Sequence, residues 1–132
     1  MAESPLVKKL HLKPGHRALV LNAPPGYLAR LSPLPERTEV ATAAKGTYDF
    51  VHLFVANRAE LATLGPRALR AVRPRGVLWI AYPKKTAGVK TDLTRDNGWE
   101  AVTGAGWAGV SLVAIDDTWS ALRFRPAEEV GT

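Results

Sequence analysis

Side chains that could bind an anionic ligand follow three apolar segments of the sequence. These amides, phenols and cations are Asn22, Tyr27, Asn57, Arg58, Tyr82, Lys84 and Lys85. In an open parallel sheet, ligands bind beyond the carboxyl ends of the strands, where the strand order reverses. Cationic side chains there would form charge-assisted hydrogen bonds with a phosphate or carboxylate. The sequence therefore predicts a candidate anion pocket at this edge, with Arg58 and Lys84 as the charge partners.

A purely structural interpretation of the same residues stays open, and we favour it. Asn57 is followed three residues later by Glu60, which is the spacing of a helix capping box. Its amide could therefore serve only to start a helix. Lys84 could pair with an acid such as Asp92 or Asp96 instead of a ligand.

A second group of charges gives secondary candidates for the same site. The segment from Lys90 to Asp96 alternates in charge, and its candidates are Asp92, Arg95 and Asp96. Aspartates in the first turn of a helix also suit the helix dipole, whatever else they do. We favour capping and surface ion pairs, each worth less than about 1 kcal/mol, over a ligand site.

No pattern in the sequence indicates a metal site or a catalytic nucleophile. The chain has no cysteine, and its three histidines lack metal-ligand spacing. His52 lies within an apolar segment and is predicted to be a buried, hydrogen-bonded core group. The pair Asp116 and Asp117 has no nearby histidine and predicts a hairpin turn. We therefore predict neither a metal nor a catalytic residue.

The formal net charge of +6 raises the question of nucleic-acid binding. Arg123 and Arg125 share a predicted strand face with Trp119, and such a mixture can bind single strands. The positive residues are otherwise scattered and form no block of five or six. We favour a core position for Trp119, with Arg123 paired to an acid.

The elements that must position these residues follow from apolar runs and turn signals. Pro66 predicts a break or kink in a helix that begins near Arg58, and residues 73–76 predict a turn. A second helix is predicted over residues 94–103. The six predicted strands cover residues 17–22, 38–43, 48–56, 77–82, 110–115 and 119–125. Because only three residues join the last two strands, those strands must be antiparallel.

This alternation predicts an α/β, Rossmann-like fold with helices on both faces of a mostly parallel six-stranded sheet. Numbered in chain order, the strands should run 2-1-3-4-6-5 and end in an antiparallel hairpin. The 132 residues suit one domain, with an arm over 1–14, a core over 15–125 and a flexible tail over 126–132. The absence of cysteine, of a signal peptide and of a membrane-length apolar run leads us to expect a cytoplasmic protein.

Several segments resemble known proteins. Lys13-Pro14-Gly15 before Ala18–Leu21, then Tyr48–Val51 and Val72–Ile80, resemble the landmark strands of class I methyltransferases that use S-adenosylmethionine. Leu78–Lys85 and Trp119–Phe124 resemble a family of short bacterial proteins of unknown function. The resemblance implies a truncated methyltransferase-like fold over most of residues 13–125.

Two departures from the methyltransferase pattern concern the cofactor. The loop after the first strand contains Pro24 and Pro25 where that family has a glycine-rich turn, and proline offers no N–H donor. The second strand ends in Ala41-Thr42-Ala43-Ala44, without the acid that would bind the ribose hydroxyls. We therefore predict no cofactor, and we do not expect S-adenosylmethionine to bind.

Our leading hypothesis is a non-catalytic binding domain for a small anionic ligand or a protein partner. The alternatives are a divergent S-adenosylmethionine-dependent methyltransferase and a nucleic-acid-binding protein that uses its basic surface. We expect no membrane association. Homo-oligomerisation stays open, because the weak second strand could be an unprotected sheet edge.

Overall fold

The fold is built on one six-stranded sheet. The computed structural model describes residues 5–32, 34–84, 88, 91–94 and 97–129. The strands are β1 (Arg17–Leu21), β2 (Glu39–Ala41), β3 (Tyr48–Phe54), β4 (Val72–Pro83), β5 (Trp107–Ala114) and β6 (Trp119–Pro126). The α-helices of the described residues are α1 (Pro5–Lys9), α2 (Arg58–Ala71) and α3 (Glu100–Thr103), and short 3₁₀ turns cover Leu28–Leu31 and Ala127–Glu129.

The strand order is β2-β1-β3-β4-β6-β5. The first four strands are parallel, whereas β6 pairs antiparallel with both β4 and β5. The predicted α/β Rossmann-like class and its closing hairpin are therefore confirmed. The order reverses between β1 and β3, because the chain leaves β1 toward one side of the sheet and later returns on the other.

Both faces of the sheet are covered by apolar clusters, because alternate strand residues point to opposite faces. One cluster lies under α2 and α3, and it includes Leu53, Leu61, Leu78 and Trp99. The other lies under α1 and the turn at Leu28–Leu31; its largest members are Phe50, Phe54, Trp79, Tyr27 and Leu10. The apolar residues of the N-terminal arm are all buried, namely Leu6, Val7, Leu10 and Leu12.

The connection between β2 and β3 is short. Residues 42–47 form this connection and cross β1, which lies between the two strands. Arg17, at the start of β1, holds the crossover in place by donating hydrogen bonds to Lys45 O at 2.8 Å and Thr47 O at 3.0 Å. Its guanidinium also lies over the Tyr48 ring, 4.3 Å from the centroid.

Three local predictions differ from the structure. Helix α2 continues through Pro66 to Ala71 instead of breaking there. The predicted turn at residues 73–76 is instead an irregular start of β4, with Arg75 at a φ of 65° and a shift in the β3–β4 register. Of the described residues in the helix predicted over 94–103, only Glu100–Thr103 are helical, and the Trp99 indole donates a hydrogen bond to Thr94 O at 2.7 Å.

No helix within the described ranges is both long and apolar enough to cross a membrane.

Candidate functional site

The ends of β1 and β3 are joined directly at the point where the strand order reverses. Asn22 follows β1 and adopts a left-handed conformation, with a φ of 59°. Its side-chain Nδ2 donates a hydrogen bond to the carbonyl of Phe54, the last residue of β3, at 2.8 Å. This bond fixes the base of the crevice that the sequence predicted, and it leaves Asn22 Oδ1 as an acceptor.

Tyr27 anchors the loop that follows β1. The residue is 1% exposed, and its hydroxyl is 2.8 Å from His52 Nε2 in the core. Its backbone N–H donates to Pro24 O at 3.1 Å, which closes the proline turn. The Tyr27 hydroxyl therefore lies in the apolar core against one face of the sheet and does not face the crevice.

His52 is a buried neutral imidazole. It is fully buried, and burial is the main cause that lowers its pKa from 6.5 to about 3. The backbone of Trp79 offsets part of this shift, although Nδ1 makes no hydrogen bond of acceptable geometry within the described chain. Burial likewise raises the pKa of Tyr27, so the pair carries no charge near neutral pH.

Asn57 forms the N-cap of α2. Its Oδ1 accepts from the N–H of Glu60 at 2.9 Å, and Glu60 Oε1 accepts from the N–H of Ala56 at 2.6 Å. This reciprocal pair is the capping box that the spacing predicted. The Asn57 Nδ2 group has no hydrogen-bond acceptor in the part of the chain that the structure describes.

Arg58 and Asp92 meet at the start of α2. The Arg58 N–H donates to Asp92 Oδ1 at 2.8 Å. The Arg58 guanidinium reaches Glu100 Oε2 at 3.2 Å, but both side chains are more than half exposed, so the pair contributes little stability. Gly98 makes this approach feasible, because a Cβ there would come within 3.1 Å of Arg58 Cγ.

Tyr82 and Lys84 lie at the end of β4. Tyr82 is buried, and its ring meets Trp99 edge to face at 5.3 Å. Lys84 is half-buried, and its N–H donates to Thr118 O at 2.7 Å. Among the described residues no carboxylate lies within 4.0 Å of its ammonium group, so the alternative pairing with Asp92 does not form. Lys85, Arg95 and Asp96 lie outside the described residues.

Asp116 forms the hairpin turn that the sequence predicted. Its Oδ1 accepts from the N–H groups of Thr118 and Trp119, both at 2.8 Å, and its Oδ2 pairs with Arg30 at 2.7 Å. These bonds hold the pKa of Asp116 below its usual value, against the effect of burial. The described ranges contain no group of three potential metal ligands.

A groove along the crossover from β2 to β3 was not predicted. It has a volume of about 580 Å³ and lies between α2 and the crossover from β2 to β3. Its lining includes Leu21, Thr42, Ala43, Ala44, Gly46, Arg67, Arg70 and Ala71. No local pattern in the sequence indicates this groove, since its two walls are far apart in the chain.

Solved methyltransferase structures share this fold. Fibrillarin from Aeropyrum pernix, with natively bound S-adenosyl-L-methionine, has a TM-score of 0.64 at 13% identity over 86% of this chain and 68% of its own. DhpI in complex with SAH has a TM-score of 0.62 at 15% identity over 93% of this chain and 82% of its own. The ribosomal protein L11 methylase from Lactobacillus delbrueckii subsp. bulgaricus has a TM-score of 0.60 at 10% identity over 92% and 74%.

No family model and no curated protein matches this sequence. The methyltransferase-like fold is therefore supported by structure, at identities that show the fold alone. The resemblance to a family of short bacterial proteins stays a prediction.

Our prediction that the chain uses no cofactor is wrong in the light of these structures, because neighbours of the same fold hold S-adenosyl-L-methionine or SAH. The prediction relied on the proline loop and on the missing acid after β2. Strand order creates the crevice, however, and the loop sequence only lines it. Beside Gly26 the space is open, since a Cβ built there would meet no atom within 4 Å.

The residues present fit an adenosyl ligand in three respects. The groove is within the size range of small-molecule sites. Thr42 follows β2, where the methyltransferase pattern has an acid, and it supplies a hydroxyl instead of a carboxylate. Asn57 Nδ2 and Asn22 Oδ1 supply a donor and an acceptor at the ends of neighbouring strands.

Proposed function

We propose that this chain is a divergent S-adenosylmethionine-binding domain of the class I methyltransferase fold. The observation that carries the proposal is the strand order β2-β1-β3-β4-β6-β5 with its antiparallel closing hairpin. This order creates a crevice at the carboxyl ends of β1 and β3, and solved methyltransferases share the fold over most of this chain. The proposal replaces the non-catalytic domain that the sequence alone favoured.

The polar groups of the edge match the polar groups of this ligand. We assign Asn22 Oδ1 to the ligand's ammonium group and Asn57 Nδ2 to one of its acceptors. Lys84, whose ammonium has no carboxylate partner among the described residues, would pair with the ligand's carboxylate. Thr42 would donate to or accept from a ribose hydroxyl. When bound, S-adenosylmethionine supplies an electrophilic methyl group.

The anchored loop after β1 gives this site a fixed wall. Tyr27 and Asn22 tie its two ends to β3, and the two prolines restrict the backbone between them. A wall held in this way loses little conformational freedom when a ligand binds. Pro24 and Pro25 have no N–H groups, so the backbone donors between Asn22 and Tyr27 are those of Ala23 and Gly26.

Calorimetric titration with S-adenosylmethionine and with SAH tests the proposal. We expect binding in the micromolar range and a rise in melting temperature with ligand concentration. The informative variant is Asn57→Ser, because serine keeps the cap oxygen of α2 and removes Nδ2. We expect weaker binding with an unchanged melting temperature in the absence of ligand. The absence of heat and of thermal shift with both ligands at millimolar concentration would refute the proposal.

A further inference from the structure

Arg123 on β6 is a cation without an acidic partner among the residues that the structure describes. The sequence predicted that it would pair with an acid, and this prediction is wrong for the described residues, where no carboxylate lies within 4.0 Å of it. Its Nε atom is buried and has no hydrogen-bond partner in the same ranges. Burial lowers the pKa of Arg123, and the like charge of Arg125 lowers it further.

Such an arrangement costs free energy in the isolated protein. A buried donor without an acceptor loses its water without gaining a protein hydrogen bond, which destabilises the folded state. Buried polar groups are nearly always satisfied in native structures, so an exception needs an explanation. An anion bound at the guanidinium would supply the missing countercharge.

Further basic and aromatic groups lie on the same face of the sheet. Arg123 is directly opposite Trp79 of β4, and the Trp79 indole donates a hydrogen bond to Leu10 O at 2.8 Å. The His11 ring stacks on Trp79, with centroids 6.4 Å apart and planes 9° apart. Lys9 Nζ donates to Ala114 O at 3.1 Å, which fixes the ammonium beside β5.

We call this surface the α1 patch, and it comprises Lys9, His11, Arg123 and Arg125. Lys9, His11 and Arg125 are exposed. Arg125 is on the same face as Arg123, two residues further along β6. The His11 ring is exposed and lies nearly parallel to the Trp79 ring. The patch therefore combines positive charge with one exposed aromatic ring.

We propose that the α1 patch binds single-stranded nucleic acid, with the cations on its phosphates and a base stacked on His11. Basic grooves with interspersed rings are typical of proteins that bind single strands without strong sequence preference. The net charge of +6 favours the approach of a polyanion. The patch lies on the face opposite α2, so the inference goes beyond the proposed function and does not depend on it.

Fluorescence anisotropy with a labelled oligouridylate tests the proposal on the full chain. The double variant Lys9→Gln/Arg123→Gln removes two cations of the patch. The slope of log K against log salt concentration should become shallower by about 1.4, since each phosphate contact contributes about 0.7 for single strands. Its matched control, Arg67→Gln/Arg70→Gln, removes the same charge from α2 on the opposite face and should leave the slope unchanged.

His11→Ala supplies a second measurement that leaves the charge on β6 intact. We expect a loss of affinity of roughly fivefold or more, as for the loss of one stacked base, without a change in the salt slope. Arg123→Gln alone should not lower the melting temperature, because it removes an unpaired charge.

Three results would overturn the proposal. Equal weakening by both double variants would show that net charge alone attracts the strand. Failure of the wild-type chain to bind the oligonucleotide at low salt would exclude the interaction. Displacement of the strand by equimolar pyrophosphate would identify a site for a small phosphate instead.

Discussion

The buried histidine of β3 gives a direct test of the site's architecture. His52 has a pKa of about 3 in the folded chain, against 6.5 as its ordinary value. Between these values the unfolded chain binds a proton that the folded chain does not, so stability rises with pH by about 1.4 kcal/mol per unit. The contribution is complete above pH 6.5 and is lost as the pH falls toward 3. Between pH 7 and pH 5 the loss amounts to about 2 kcal/mol.

The perturbation is His52→Gln, which keeps a polar group beside the Tyr27 hydroxyl but does not titrate in this range. Urea unfolding of both proteins at pH 7 and pH 5 gives the pH dependence of each. Asp49 and Asp116 have lowered pKa values, so both proteins lose some stability in acid. That contribution cancels in the comparison. The wild-type chain should lose about 2 kcal/mol more than the variant.

The result that would refute this reasoning is an equal pH dependence in the two proteins. A His52 imidazole that titrates near 6.5 by NMR would refute it as well. Either result would mean that the ring reaches water, and the loop after β1 would then lack its fixed anchor.

Three further predictions concern the residues around the crevice. Tyr27→Phe should destabilise the chain by about 1–3 kcal/mol in urea unfolding, because His52 Nε2 loses its partner in the core; an unchanged midpoint would contradict this. Asn57→Ala should lower the free energy of unfolding by about 1 kcal/mol in urea unfolding, whereas Asn57→Ser should leave it almost unchanged. Equal losses of stability in the two variants would argue against the cap. Gly98→Ala should cost about 1–3 kcal/mol by thermal melting, because the φ is +99° and the new Cβ would lie 2.7 Å from Leu93 Cδ2. A variant as stable as the wild type would show that this loop is not packed on α2 as described.

Much of the fold could be predicted because its signals are local. The apolar runs of β3 and β4 identify strands buried on both faces. The short connection before Trp119 requires an antiparallel pair, and this pair fixes the end of the sheet. The N-cap of α2 was readable from Asn57 and Glu60 alone, since both of its hydrogen bonds span four residues or fewer.

The failures have a common physical origin in tertiary contacts. Proline in a helix costs roughly 3 kcal/mol of helix stability, so Pro66 predicted a break or kink. The helix nevertheless continues, and Leu61 and Ala68 on either side of Pro66 are buried in the core. The burial of these two side chains offsets the destabilisation of the helix by Pro66, and the local sequence does not show that burial. The pairing of Arg123 likewise depends on which elements face β6, which no local pattern encodes.

The short crossover between β2 and β3 has a consequence for ligand binding. β2 pairs with the rest of the sheet through only three residues, and hydrogen bonds of the Arg17 and Tyr48 side chains hold the later part of its crossover to β3. Edge segments with so few contacts open locally at much lower free energy than the core. Thr42, at the other end of this crossover, lines the groove. A ligand bound there would therefore oppose the opening of β2, and occupancy could be followed as slower amide hydrogen exchange at Val40 and Ala41.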